Sequence, residues 1–256
     1  MSTLPFRVTV VDDHALFAEA LVISLRGQSV DARSVVPEAA TTTFPQLGRA
    51  IVDSRPHLVL LDLDLGVVGD TMRLLSTLAA GNVPVVVVTG SADGVRRGEA
   101  LAMGARAVIS KSAPFSQILD AVERTRSGLP VMSRMERDEL LSAYRDATES
   151  RRELHAKFSL MTRREAEVLG QLMAGQQVTE IARTRFVSES TIRTQVKSIL
   201  SKLQVSSQLT AVGLAHRIGW TPPVAEELAR RGRPQGRARR GTDGPGRQHP
   251  TRVAVG

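Results

Sequence analysis

Five short apolar runs rich in β-branched residues divide the first half of this chain, at 6–11 (FRVTVV), 30–36, 58–61, 83–88 and 107–109. They are continuous rather than alternating, so each would be apolar on both faces. Between them lie residues at helical spacing: Leu16, Phe17, Ala20, Leu21 and Leu25, then Leu74, Leu75 and Leu78, then Phe115, Ile118, Leu119 and Val122. Doubly apolar strands must be covered on both sides, and strands joined through helices run parallel.

Five such βα units in about 125 residues predict an α/β flavodoxin-like domain with a parallel five-stranded sheet in the order 2-1-3-4-5. Sites in such sheets lie beyond the carboxyl ends of the strands, so the residues that follow each strand carry the chemistry. They are Asp12 and Asp13 after the first run, Asp62 after the third, Thr89 after the fourth and Lys111 after the fifth. In HLVLLDLDLG, Asp62 and Asp64 are two residues apart and would leave an extended strand on one face. Like charges that close are costly, so either the strand stops at Asp62 or a positive group sits beside it. Three acids from two strand ends offer oxygen ligands alone, which suits a hard cation such as Mg²⁺. An aspartate there can attack phosphorus, with Lys111 offsetting charge on the phosphoryl oxygens and Thr89 donating to one. Asp64, past the start of a turn, would offer its backbone carbonyl to the metal rather than its carboxylate. His14, directly after the acidic pair, could be a further ligand, but reads more readily as a residue of the first turn of a helix. Singly, each acid is an ordinary solvated loop residue, Thr89 a helix cap and Lys111 a surface lysine; their joint placement after four strands favours a site.

There is no cysteine, which excludes disulfides and thiolate chemistry and suits a cytoplasmic protein. The longest apolar runs, such as VPVVVV at 83–88, are too short to span a bilayer, and MSTLPFRVTVVDD lacks the pattern of a signal peptide. The expectation is a soluble, intracellular chain. Charge divides by region: net −1 over 1–128, 0 over 129–157, +4 over 158–220 and +5 over 221–256. A near-neutral first half followed by a basic second half points to a polyanionic partner for the second.

Residues 129–157 mix charges evenly around Leu140, Leu141, Tyr144 and Leu154. This is a helical linker whose sparse stripe fits packing on the first domain, pairing with a second chain, or plain solvation. In 158–220, Thr162 and Glu165 have capping-box spacing and Gly175 is a helix stop. The short segment VTEIARTRF precedes VSESTIRTQVKSILSKL, opened by Ser188 as N-cap. At roughly 100° per residue, Ile192, Val196, Ile199, Leu200 and Leu203 share one face of that helix. Ser190, Arg193, Thr194, Lys197 and Ser201 share the other. A short helix, a tight turn and a longer helix with a basic outer face have helix-turn-helix geometry; an isolated amphipathic helix would merely turn this face to water. Residues 221–256, with ARRGRPQGRARRGTDGPGRQHP, have little to bury and read as a disordered basic tail, either a non-specific DNA arm or a solubilising one.

VVDDH, LVLLDLD, VVVVTGS and GARAVISK stand in the order found in receiver domains of two-component response regulators, which this region resembles. The resemblance implies that Asp62 is the phosphoacceptor, that Asp13 and Asp62 hold Mg²⁺ with Asp12 assisting, and that Thr89 and Lys111 contact the phosphate. Receivers usually carry Met-Pro shortly after the acceptor, where this chain has Leu65-Gly66, and their aromatic switch position falls on Val108. The second block resembles the LuxR-type helix-turn-helix of the NarL/FixJ regulators through LMTRREAEVLGQLMAG, EIA, VSESTIRTQVKSILSKLQVSSQ and AVGLA. That implies base reading by Arg193, Thr194 and Lys197 and phosphate contacts by Thr191 and Lys202. Gln195 stands where the family usually has histidine, and Gln176-Gln177 lacks the usual polar cap. The resemblance implies a receiver over 1–128, a linker over 129–157 and a DNA-binding domain over 158–220. It implies a transcriptional regulator rather than an enzyme, with promoter DNA, a sensor histidine kinase and a second copy of itself as partners. Two alternatives stay open: the same build working without phosphorylation, and a haloacid-dehalogenase-like phosphatase. Phosphatases of that kind share the Asp-x-Asp, Thr, Lys order but place their acidic pair last and need a cap insert.

Overall fold

The computed structural model describes residues 5–38, 42–66 and 71–222. The chain divides into two compact units, Met1–Arg152 and Glu153–Gly256. The tail expected to be disordered falls, from residue 223 on, outside the described residues. No helix among the described residues is long and apolar enough to cross a membrane.

In the first unit, strands β1 (Arg7–Val11), β2 (Asp31–Val35), β3 (Leu58–Leu61), β4 (Val85–Thr89) and β5 (Ala107–Ser110) form one parallel sheet in the order β2-β1-β3-β4-β5. Helices α1 (Ala15–Arg26), α2 (Phe44–Asp53), α3 (Thr71–Ala80), α4 (Gly94–Ala102) and α5 (Phe115–Arg126) connect and cover it. Val59, Leu61, Val85 and Val87 belong to one core layer; Leu58, Leu60, Val86 and Val88 belong to the other. The strands β1, β3, β4 and β5 therefore feed both cores, whereas the edge strand β2 (DARSV) does not match the expected apolar run: Ala32 is buried but Arg33 and Ser34 are exposed.

The helically spaced residues of α5 meet the core as expected, whereas those of α1 do so only in part. On α1 the buried stripe is Ala18, Leu21, Val22 and Leu25, whereas Leu16 is 85% exposed and Ala20 also faces water. On α5, Ile118, Ala121, Val122 and Thr125 are buried, with Phe115 and Leu119 at the margin. Both stripes recur at three- and four-residue steps, but small residues, Ala18 and Ala121, take the closest approach to the sheet. Leucine counts alone therefore rotate the predicted face.

The next helix, α6 (Arg134–Ser159), takes up most of the expected linker and runs two residues past its end. Its Leu140 and Leu141 pack on the core of the first unit, which is one of the expectations for this stripe. In the second unit, α7 (Arg163–Met173), α8 (Val178–Thr184), α9 (Glu189–Leu203) and α10 (Gln208–Arg217) enclose Val168, Leu169, Ile181, Ile192, Ile199 and Ala211. Thr162 and Glu165 form the capping box, and Ser188 caps α9 by accepting from the Thr191 amide. The missing short polar cap before α8 is corrected: the Glu180 carboxylate accepts from the Gln177 amide at 2.8 Å, so the third residue of the helix satisfies its start.

Glu165 does more than cap. Only 6% exposed, its carboxylate accepts from Thr162 N at 2.6 Å, Ser198 Oγ at 2.6 Å and Lys202 Nζ at 2.6 Å. Burial alone would raise its pKa, but the bonds from Lys202, Ser198 and Thr162 prevail and hold it lowered to about 2. A carboxyl depressed in the folded state contributes stability that is complete above its ordinary value of 4.5 and is lost as pH falls towards 2. Glu165→Gln should cost about 1.5–3 kcal/mol at pH 7, the range for hydrogen bonds to a charged group. It should also flatten the fall in stability between pH 4.5 and 2. Denaturant titrations followed by the single tryptophan, Trp220, which packs against Phe158 in this unit, would measure both; an unchanged acid limb in the variant would contradict the assignment.

Candidate functional site

The carboxyl ends of β1, β3, β4 and β5 bring together the residues that follow them. β1 pairs with β3 in register from Val8 opposite Leu58 to Val11 opposite Leu61. Asp12 and Asp62 therefore leave adjacent strands at the same height, and the Asp62 amide donates to Val11 O at 2.9 Å. Both are 2% exposed. Lys111, one residue past β5, places its ammonium 2.7 Å from Asp12 Oδ2 and 2.8 Å from Asp62 Oδ2, and 4.9 Å from the centre of the Phe17 ring. The repulsion expected at Asp62 is relieved in both ways: the strand ends at Leu61, and a cation stands beside the acid.

Asp62 remains poorly satisfied. Burial pushes its carboxyl above the ordinary carboxylate range against the pull of Lys111, and the Asp12 charge adds to the rise. Its Oδ1 is buried with no hydrogen-bond partner. Lys111 is held charged although burial opposes it, through its bonds to Asp12 and Asp62. Asp13 Oδ1 lies 2.8 Å from His14 Nδ1 but makes no aligned hydrogen bond. Carboxylate oxygens of Asp12, Asp13 and Asp62 and a ring nitrogen of His14 all fall within 4.8 Å of one another. An unpartnered buried oxygen among three acids fits a divalent cation. Gly66 adds room: its φ is +56°, and a Cβ there would stand 3.2 Å from Asp13 Oδ2.

Thr89, fully buried, ends β4; its hydroxyl accepts from the Ser91 amide at 3.1 Å and its carbonyl from the Lys111 amide at 2.8 Å. Asp64 turns away from the cluster, and its carboxylate meets Arg96 at 2.7 Å. Arg96 also donates to Leu63 O at 3.0 Å. No local pattern marks this arginine; it reaches the loop that follows β3 across 32 residues of sequence. Val108 is a buried residue of β5, and its carbonyl accepts from Arg97 at 3.4 Å.

In the second unit, Thr191, Arg193, Thr194 and Lys197 are exposed on α9, with Ile192, Ile199 and Leu203 buried opposite. Arg193 pairs with Glu189 at 3.3 Å, Thr194 donates to Ser190 O at 2.9 Å, and the Thr191 hydroxyl lies 2.8 Å from that of Ser188. Lys202 is not on this face in the same sense: its ammonium is committed to Glu165. Gln195 is half-buried, with its Oε1 unpartnered. The turn into α9 carries Phe186 at φ +54° and 96% exposed.

Residues 8–123 match the family model of the response regulator receiver domain, and residues 159–215 that of bacterial regulatory proteins of the luxR family. The glycerol metabolism activator of Pseudomonas putida is 27% identical, covering 84% of this chain and 97% of its own. The transcriptional regulatory protein LiaR of Bacillus subtilis is 26% identical, covering 82% and 97%. The crystal structure of response regulator ChrA, from a heme-sensing two-component system, aligns with 83% of this chain and 97% of its own at 23% identity and a TM-score of 0.42. The receiver match decides against the phosphatase alternative. With a receiver domain followed by a LuxR-type domain, the chain belongs to the response regulator transcription factors of two-component systems, which are not enzymes.

Proposed function

We propose that Asp62 accepts a phosphoryl group from a sensor histidine kinase, and that its state governs binding of promoter DNA by residues 158–220 in the cytoplasm. The observation that carries this reading is the Asp62 carboxylate: buried, one oxygen on Lys111, the other without a partner. An Asp62 oxygen attacks phosphorus, the P–N bond to the donor histidine breaks, and the imidazole leaves with the electron pair and takes a proton from solvent. Lys111 offsets charge on the phosphoryl oxygens, and the Thr89 hydroxyl donates to one of them. A Mg²⁺ ion held by Asp12, Asp13, Asp62 and the Asp64 carbonyl would supply further positive charge there.

In this reading residues 1–128 are the receiver, 129–157 the linker and 158–220 the DNA-binding domain, with 221–256 a basic tail. Phosphorylation shifts a two-state equilibrium towards an active homodimer. In the second unit, α9 enters the major groove, Arg193, Thr194 and Lys197 meet base edges, and Thr191 meets phosphate. Lys202, tied to Glu165, holds α9 in place in the free protein, and a phosphate contact would require it to leave that carboxylate.

Two measurements test the reading. Incubated with Mg²⁺ and a small phosphodonor, the wild-type chain should gain one phosphoryl mass, and Asp62→Asn or removal of the metal by a chelator should abolish the gain. Equal labelling of wild type and Asp62→Asn overturns the assignment of Asp62. For DNA, Arg193→Ala or Lys197→Ala should cost about 1–3 kcal/mol on a site selected from random sequence and much less on random DNA. Deleting residues 228–256 should weaken both DNAs alike and flatten the salt dependence. Equal losses on both DNAs from the helix variants would leave the face a mere electrostatic surface.

A further inference from the structure

The first turn of α4 joins the acceptor loop to α6 through three consecutive residues. Arg96 holds the loop on one side, through Asp64 Oδ1 at 2.7 Å and Leu63 O at 3.0 Å, immediately beyond Asp62. Arg97 faces Glu136 of α6 at 3.9 Å while donating to Val108 O. At Gly98 the two helices meet without a side chain between them. A Cβ there would stand 2.1 Å from Leu140 O and 2.8 Å from Tyr144 Cβ. Backbone against backbone leaves no soft side chain to absorb a shift, so a small movement of α4 must move α6 or part the helices. Arg137 completes the docking from α6, donating to Ala105 O and Arg106 O at 3.3 and 3.2 Å.

The two ends of this chain of contacts differ in strength. The Arg96–Asp64 pair is partly exposed, 38% and 51%, and such pairs are readily exchanged for better ones. A phosphoryl group on Asp62 would bring nearly two negative charges two residues from Asp64, a stronger partner for a guanidinium than one solvated carboxylate. The Gly98 contact, by contrast, either fits or does not.

We infer that α4 is a relay: Arg96 senses the charge at Asp62, and the Gly98 notch converts the resulting movement of α4 into release of α6 from the receiver. This rests on the assignment of Asp62 above. Unphosphorylated, Arg96 keeps α4 against the acceptor loop and α6 seated. Phosphorylated, Arg96 turns towards the phosphoryl group, the first turn of α4 moves, and α6 loses its seat.

Hydrogen exchange on the full chain tests the relay, with intact mass recording phosphorylation in the same samples. In Arg96→Gln, amides 136–148 should exchange about tenfold faster without any phosphodonor, as expected for local opening rather than unfolding. Amides of β3 and β4 should keep their protection, and phosphorylation should add no further change. In Gly98→Ala the same α6 amides should be fast in both states; if that variant loses the β3 and β4 protection, it has unfolded and Arg96→Gln decides alone. In wild type, phosphorylation should accelerate the α6 amides to the level of Arg96→Gln. Wild-type α6 protection in Arg96→Gln, or phosphorylated wild type with α6 exchange unchanged, overturns the relay. A wild type that gains no phosphoryl mass overturns the reading of Asp62 instead, while Arg96→Gln still decides whether α4 seats α6.

Discussion

The first unit depends on one ammonium group. Lys111 stands 2.7 and 2.8 Å from two carboxylates that are each 2% exposed, and without it β1 and β3 would end on adjacent buried like charges. The parallel register that aligns Val11 with Leu61 is compatible with burial there only because a cation answers the acids. Lys111 is fixed in turn by its own amide on Thr89 O and by the Phe17 ring beneath its charge. Strand order, strand ends and pocket are thus one constraint: β5 must lie at the edge where its first loop residue can reach back over β4 to β3.

Two buried carboxylates, each served by a lysine, are held in opposite electrostatic states. Glu165 receives Lys202, Ser198 and the Thr162 amide, and its pKa falls to about 2. Burial raises the pKa of Asp62, the Asp12 charge adds to the rise, and the bonds from Lys111 and the Asp64 amide do not overcome them; one of its oxygens is left without a partner. Both burial and donors differ: Asp62 is the more deeply buried of the two, and it has fewer donors to offset that burial. A fully satisfied carboxylate rigidifies its helix start, whereas an under-supplied one retains affinity for a cation or a phosphorus centre.

Much of this was legible in the sequence because it is local. Strand limits follow from runs of β-branched residues that stop at Asp12, Asp62 and Lys111, and the α9 faces follow from helical spacing. What the sequence hid is long-range or depends on small residues. The α1 face was rotated by reading Leu16 and Ala20 as buried, when Ala18 makes the close approach. Lys202 looked like a free phosphate contact because its partner, Glu165, lies 37 residues earlier. The cap of α8 was overlooked because the carboxylate that serves it sits inside the helix. Arg96 and Gly98 carry no motif at all; one is an arginine among many and the other a glycine inside a helix.

That last glycine explains a choice that helix propensity opposes. A glycine within α4 costs roughly 0.5–1 kcal/mol relative to alanine, and nothing in the turn geometry of α4 requires one. The requirement comes from outside the helix: Leu140 O would lie 2.1 Å from any Cβ at position 98. The chain accepts a weaker α4 to let α6 approach at backbone distance. A contact of that kind is insensitive to which side chains surround it and sensitive to where the two axes lie. Position, rather than chemistry, is what α4 can report from the acceptor loop.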